Sequence, residues 1–158
     1  MTCPLGGGVV QRHNKIRDVV ARWCRSAKTE QTVPKWNTPE EKAVLDVAYT
    51  TNRGNQMFVD VSVVAGERTN TVTMLARREQ AKHKRYPGAG MIPFVIDVRG
   101  RWAKEAQAWM RTAVQDFYPD NTTEMVQSIR YEVSIALMVS VAEQCARSMK
   151  EQMTWLCS

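Results

Sequence analysis

Two aspartates interrupt the apolar pattern of a predicted β-hairpin. Asp46 and Asp60 alternate with the apolar rows of the two strands, so each lies on the strand face opposite its row. If the turn is symmetric about Arg53, the two aspartates lie directly across from each other, with Cβ atoms about 5 Å apart. Two carboxylates that close repel unless a cation lies between them. The pair therefore predicts a Mg²⁺ or Mn²⁺ site, and phosphodiester hydrolysis is the chemistry that suits it.

The helix predicted after the hairpin carries two charged residues on its apolar stripe. Leu75, Glu79, Lys82 and Tyr86 recur at spacings of four, three and four residues, so Glu79 and Lys82 are expected to face the sheet. Lys82 is expected to reach the scissile phosphate or the attacking water. Glu79 either holds that lysine or serves as a third acid. The candidate catalytic set is Asp46, Asp60, Lys82 and Glu79, with both aspartates as metal ligands.

The same residues also have a purely structural interpretation. Two aspartates in a hairpin are commonly solvated residues of a sheet that is apolar on one face only. An inward Glu79 and Lys82 are commonly an ion pair whose charges reach water, and a basic run is commonly a solvated helix face. His13 and His83 are the two histidines, and their separation supports neither a histidine metal cluster nor a histidine-activated nucleophile.

The elements that must position these residues follow from periodicity and from turn formers. Helical spacing predicts helices over residues 9–28, 69–86, 103–117 and 124–152, and period-two alternation predicts a hairpin over 43–64 and a strand over 92–98. Residues 29–41 are predicted as a loop, with a short edge strand at 32–36 as an option. The order α-β-β-(β)-α-β-α-α predicts a single α/β domain with the hairpin at its centre.

The composition favours a polyanionic partner. The chain has 22 Lys and Arg against 16 Asp and Glu, a net charge of +6. Nucleic acid is the first expected partner and an anionic membrane surface the second. No apolar stretch is expected to be long enough to span a bilayer, so no membrane partner is predicted.

The four cysteines indicate a reducing compartment. They are scattered, without a C-x-x-C pair, and Cys24 and Cys145 fall at positions that read as helix core. This usage predicts an intracellular protein without a disulfide framework. The four are Cys3, Cys24, Cys145 and Cys157.

A set of motifs in order along the chain resembles a known family. The acidic pair, Leu45-Asp46-Val47 and Val59-Asp60-Val61-Ser62-Val63, is similar to the spaced acids of PD-(D/E)XK nucleases. Lys82 through Arg85-Tyr86 resembles the K-x-x-K-Y helix motif. Before them, Cys3-Pro4 and the stretch 12–18, Arg-His-Asn-Lys-Ile-Arg-Asp, look like the end of a zinc knuckle and the start of the nuclease. Residues 93–97 with Gly100 and Trp102, and residues 134–137, resemble its next strand and closing helix. Together they resemble the restriction-enzyme-like endonuclease domain at the C-terminus of non-LTR retrotransposon reverse transcriptase polyproteins.

The resemblance implies a fold and an activity. It implies a restriction-endonuclease-like α-β-β-(β)-α-β core with two additional C-terminal helices, and a magnesium-dependent hydrolase that nicks target DNA in the nucleus to prime reverse transcription. Carried over, Asp46 and Asp60 are metal ligands and Lys82 is the displaced catalytic lysine. The implied partners are target DNA, the element RNA and a reverse transcriptase domain in cis or in trans. The expected DNA-binding residues are Arg12, His13, Lys15, Arg77, Arg78, Lys84 and Arg85.

The sequence departs from the family pattern at several places. Leu45 stands where many relatives have proline, and Ser62 stands where the older form has its lysine. Cys3 has no earlier zinc ligands before it, so zinc binding is not expected. The acid often found before the hairpin has three candidates, Glu30, Glu40 and Glu41. The predicted organisation is a junction remnant at 1–8, the nuclease at 9–152 and a tail at 153–158, cut from a longer polyprotein that supplies the polymerase.

Two other functions stay open at this point. The first is a catalytically inactive nucleic-acid-binding remnant of such a domain, in which the acids are structural. The second is a basic helical protein that binds RNA and has no hairpin site. It is excluded if Asp46 and Asp60 lie across from each other on one sheet face.

Overall fold

The computed structural model describes residues 8–65 and 70–156, the last six by their backbone alone. It is a mixed α/β structure with four strands and four α-helices in this part of the chain. The helices are α1 (Gly8–Trp23), α2 (Thr71–Arg85), α3 (Lys104–Phe117) and α4 (Thr122–Leu156). The strands are β1 (Lys28–Thr32), β2 (Val44–Thr50), β3 (Gln56–Val64) and β4 (Met91–Asp97). Short 3₁₀ turns lie at Pro34–Trp36 and Pro119–Asn121.

The four strands form one mixed sheet in the order β1-β2-β3-β4. The pairs β1 with β2 and β2 with β3 are antiparallel, and β3 with β4 is parallel. A parallel pair needs a crossover connection, and α2 supplies it. The hairpin therefore lies at the centre of the sheet, as predicted.

The register of the hairpin confirms the symmetric turn. Val47 pairs with Val59 and Thr50 with Gln56, so the turn is centred on Arg53. Gly54 has a φ of +83°, which a residue with a side chain adopts only with strain. The ladder ends at Val47 and Val59, so Asp46 and Asp60 are the next residue on each strand beyond the last pair.

Helices cover both faces of the sheet. The face that carries Val47, Val59 and Phe94 forms the main core with residues of α1, α3 and α4. The other face, which carries Phe58 and Val95, is covered by α2 and by the segment after β1. The stripe Leu75, Glu79 and Tyr86 is buried, and the side chain of Lys82 is only 11% exposed, so α2 faces the sheet as predicted.

The first connection differs from its prediction. The helix expected over residues 9–28 ends at Trp23, and Ser26 has a positive φ of 55° that a helix cannot continue through. The edge strand is Lys28–Thr32, not 32–36, and it pairs with β2. Its residues are almost all exposed, so no apolar alternation reveals it in the sequence. Residues 34–36 form a 3₁₀ turn because Pro34 fixes its own φ and Trp36 is buried.

The last helix is longer and more apolar than expected. It runs through Leu156, beyond residue 152 and into the expected tail. The stretch Pro119–Lys150 contains an 18-residue window with a mean hydropathy of 1.2, so by length and composition it passes the test for a membrane span, where none was expected. Core helices share these properties, and Ile129, Val133 and Leu137 are buried in the main core. This feature alone therefore does not indicate a membrane.

Candidate active site

Asp46 lies where the β2–β3 ladder stops. The last pair of the ladder is Val47 with Val59. One step further, the Asp46 carboxylate takes the place of a main-chain acceptor, because the Val61 N–H donates to its Oδ2 at 2.6 Å. Its Oδ1 is 2.8 Å from Nε2 of His13 on α1. The carboxylate thus joins β2, β3 and α1 at one point.

Asp60 lies on the next strand and is nearly excluded from solvent. Its side chain keeps 7% of its exposure and forms an ion pair through Oδ2 with the ammonium of Lys82 on α2. Burial raises the pKa of Asp60, the charge of Lys82 opposes that rise, and the nearby Asp46 adds to it. The structure therefore brings Asp46, Asp60 and Lys82 together, as the sequence predicted for these three.

The proximity of the two acids excludes one of the open functions. The nearby Asp46 raises the pKa of Asp60, as expected when two carboxyl groups lie close together. The four-stranded sheet, with this hairpin at its centre, is inconsistent with a basic helical protein that has no hairpin site.

The donor set is compatible with a hard divalent cation. Oδ2 of Asp60 is buried, and apart from the Lys82 ion pair no residue that the structure describes gives it a hydrogen bond. Mg²⁺ binds through one or two carboxylates and keeps waters and a substrate phosphate as its other ligands. Within residues 8–65 and 70–156, no group of three or more His, Cys, Asp or Glu side chains is arranged to hold a metal by itself. Asp46 and Asp60 fit such a partial site, and the remaining ligands would come from water and substrate.

Glu79 faces the sheet but is engaged elsewhere. Its Oε1 accepts the Glu105 N–H at 2.8 Å, in the first turn of α3. Ala103, the residue before this helix, offers no side-chain cap, so the carboxylate of Glu79 takes over that role from another helix. The partner of Lys82 is Asp60. The contacts of Glu79 thus match neither of its two expected roles, holding the lysine or serving as a third acid.

The expected DNA-binding residues of α1 are not a free basic surface. Arg12 is buried and donates to Gln144 of α4, and burial lowers its pKa. Lys15 pairs with Glu143 of the same helix at 2.7 Å. His13, the third residue of this group, binds Asp46 in the candidate site. Arg12 and Lys15 therefore fasten α1 to α4, which is a correction to the expected role of Arg12 in particular.

The basic residues of α2 are exposed beside the site. Arg77, Arg78 and Lys84 are all exposed, whereas Arg85 pairs with Glu41. Arg78 lies one helical turn before Lys82, and its Nε donates to the Ser62 hydroxyl at 3.1 Å. Ser62 is buried on β3 two residues after Asp60. A basic side chain is thereby held at the edge of the acidic pair.

Some contacts of the site had no signal in the sequence. The His13 contact with Asp46 joins residues 33 positions apart on elements that share no periodic pattern. The Arg78 contact with Ser62 was missed as well, although the i, i+4 spacing of Arg78 and Lys82 would have placed both on one side of α2.

Comparison with family models, curated proteins and solved structures gives no match for this chain. The functional argument therefore rests on the geometry.

Proposed function

We propose that this chain is a metal-dependent DNA endonuclease domain, a hydrolase with a restriction-endonuclease-like core. One observation carries the proposal: Asp46 and Asp60 lie side by side on neighbouring strands, with Lys82 brought to them by the crossover helix. The element order α-β-β-β-α-β, followed by two helices, supports this core.

Each residue of the candidate site has a separate role in this proposal. Asp46 and Asp60 would hold a divalent cation such as Mg²⁺, which when bound would neutralise charge at the scissile phosphate and lower the pKa of water. Lys82 would leave its ion pair with Asp60 and donate a hydrogen bond to a non-bridging oxygen of the phosphate. The buried position of the pair strengthens these interactions because little solvent screens them.

The exposed face of α2 is the proposed DNA surface. Arg77 and Lys84 are seven residues apart and lie on one side of the helix, where their charges are available to successive phosphates. Arg78 lies one helical turn before Lys82 and is held by Ser62, two residues after Asp60 on β3. The net charge of +6 supports binding to a polyanion.

The resemblance supplies the proposed biological setting. In that setting the domain belongs to a non-LTR retrotransposon polyprotein, acts with a reverse transcriptase domain and the element RNA, and nicks chromosomal DNA in the nucleus. Support for this setting comes from the motifs at residues 12–18, 45–47, 59–63 and 82–86.

A second candidate is an inactive DNA-binding remnant, and a specific observation favours it. Both carboxylates already have partners from the chain, since His13 contacts Asp46 and Lys82 contacts Asp60. In this arrangement both carboxylates are held by side chains of the chain itself, without a metal ion. In this case Arg77, Arg78 and Lys84 bind DNA and no phosphodiester bond is cut.

A plasmid-nicking assay separates the two candidates. The purified protein is incubated with supercoiled plasmid in Mg²⁺, in Mn²⁺ and in chelator, beside Asp60→Asn and Lys82→Met variants. Asp18→Asn, an exposed acid on α1, is the matched control. The endonuclease gives metal-dependent nicking that both site variants lose and the control retains. Plasmid that all four proteins shift and none cuts would establish the remnant.

A further inference from the structure

α1 delivers a histidine to the acidic pair. His13 Nε2 lies 2.8 Å from Oδ1 of Asp46, and the two side chains keep 30% and 14% of their exposure. A carboxylate can only accept a hydrogen bond, so Nε2 carries the hydrogen and the imidazole donates. His13 thus contacts the carboxylate of the site directly, in a position where it is not free to contact DNA through the same nitrogen.

The two oxygens of Asp46 each receive one donor. His13 donates to Oδ1, and the Val61 N–H donates to Oδ2. Two donors from two elements fix both the position of the carboxylate and its rotation about the Cβ–Cγ bond. Each oxygen still has a lone pair, so the carboxylate remains able to bind a cation. Partners of this kind orient a ligand and tune its basicity.

The backbone of α1 is fastened on either side of His13. Arg12 donates to Gln144, and Lys15 pairs with Glu143. Both partners belong to α4, which packs along α1. The imidazole is therefore presented by a helix that α4 fixes in place, so His13 has little freedom to leave Asp46.

We propose that His13 is a positioning residue for Asp46, which holds that carboxylate in the orientation that binds the divalent cation. The proposal rests on the proposed metal-dependent function, and it replaces the role in DNA contact expected from the sequence. It assigns α1 to the assembly of the site. His13 itself acts only through Asp46.

The test is direct measurement of Mn²⁺ binding by calorimetry or electron paramagnetic resonance, without DNA. The proteins are the wild type, His13→Ala, His13→Gln and His83→Ala. His83 is the matched control, because it forms the same kind of pair with Glu105 at 2.7 Å, on the side of α2 that contacts α3. We expect His13→Ala to bind Mn²⁺ roughly 10- to 100-fold more weakly, as for other partners of metal ligands. His13→Gln, whose amide is able to donate to Asp46, recovers part of the loss, and His83→Ala binds like the wild type.

Nicking kinetics give a second, independent readout. At saturating Mn²⁺ we expect His13→Ala to lower kcat and to leave the KM for plasmid unchanged, because DNA binding does not pass through Asp46. Thermal melting of each variant separates a fold defect from a metal-binding defect. If His13→Ala lowers stability, the comparison of His13→Gln with the wild type carries the test.

The outcomes distinguish this inference from the function on which it rests. Equal Mn²⁺ affinity for the wild type and both His13 variants overturns the positioning role and leaves the endonuclease standing. If the His13 variants raise the KM for DNA and leave the Mn²⁺ affinity unchanged, His13 is a DNA-contacting residue and the positioning role is overturned. A wild type that neither binds Mn²⁺ nor nicks plasmid overturns the endonuclease, and the positioning role with it.

Discussion

Lys82 of the crossover helix forms an ion pair with Asp60 of β3 where the two side chains keep only 11% and 7% of their exposure. Removing one charge of such a buried pair is costly, because little water is available to solvate the charge that is left. The pair is therefore a structural contact and a candidate catalytic contact at once.

Removing the lysine is expected to destabilise the fold in a pH-dependent way. Lys82→Met leaves Asp60 buried without its cation, which costs about 3 kcal/mol at neutral pH. The pKa of Asp60, already raised by burial, rises further. A raised pKa in the folded state means that stability is lost as pH rises through that pKa and is retained below the unfolded value. Urea unfolding should therefore show a small difference from the wild type at acidic pH and a larger one at neutral pH.

The controls for this experiment come from the same helix and the same pair. Lys84→Met removes an exposed charge from α2 and is expected to leave stability nearly unchanged. Adding Asp60→Asn to Lys82→Met removes the stranded carboxylate and should restore part of the loss at neutral pH. A destabilisation by Lys82→Met that is the same at every pH would contradict the coupling.

Glu79 is expected to stabilise α3 as a cap supplied by another helix. Glu79→Ala removes the acceptor of the Glu105 N–H and is expected to cost about 1 kcal/mol, whereas Glu79→Gln keeps an acceptor. Burial raises the pKa of Glu79, and the hydrogen bond from Glu105 opposes that rise. The ionised form is thus disfavoured in the fold, and stability falls as pH rises through the raised pKa. Denaturation against pH should show a flatter profile for Glu79→Gln. A profile with the wild-type slope would show that another group titrates.

DNA binding is expected to distinguish an exposed arginine from a buried one. Arg77 is a proposed phosphate contact. Arg77→Ala should therefore lower affinity for every DNA sequence and reduce the slope of binding against salt by the contribution of about one phosphate. Arg12→Ala removes a buried contact with Gln144, so it should lower the melting temperature instead. Fluorescence anisotropy over a salt series and thermal melting measure the two effects. Equal losses of affinity in the two variants, at equal stability, would place Arg12 at the DNA.

Cysteine reactivity is expected to follow burial. Cys24 is buried and its pKa is raised to about 12 by burial, so it carries almost no thiolate at neutral pH. Cys145, which the sequence pattern wrongly placed in a helix core, is exposed on α4. Alkylation followed by peptide mass spectrometry should label Cys145 in the native protein and Cys24 only after denaturant is added. Labelling of both thiols at one rate would mean that the core around Cys24 opens readily.

The central hairpin was predictable from the sequence because its determinants are local. Turn formers at residues 51–55 and period-two alternation on both sides fix the register, and the observed ladder has the predicted centre at Arg53. Glu79 and Lys82 were likewise assigned correctly to the face that meets the sheet, since helical spacing alone decides it. Asp46, Asp60 and Lys82 came together for these two reasons.

The remaining parts of the site depend on tertiary contacts that no local pattern encodes. β1 is polar and exposed at the edge of the sheet, so alternation gave no indication of it. Arg12 looked like a surface cation in a basic stretch, yet packing of α1 against α4 buries it. Glu79 lies on the predicted face of α2, but its carboxylate accepts a hydrogen bond from α3. Helical spacing fixes the face on which a residue lies, whereas the neighbouring residues decide which partner its side chain contacts.

Because β4 pairs with β3 in parallel, assembly of the site depends on the addition of β4 to the sheet. The hairpin, built from neighbouring segments, brings Asp46 and Asp60 together by itself, whereas Lys82 arrives only when the crossover through α2 has placed β4 on the sheet. Contacts between distant segments form late, because loop closure must precede them. A nascent chain that ends before Lys82 would thus hold two repelling acids and no lysine. The protein would acquire its full charge cluster only after the last strand has joined the sheet.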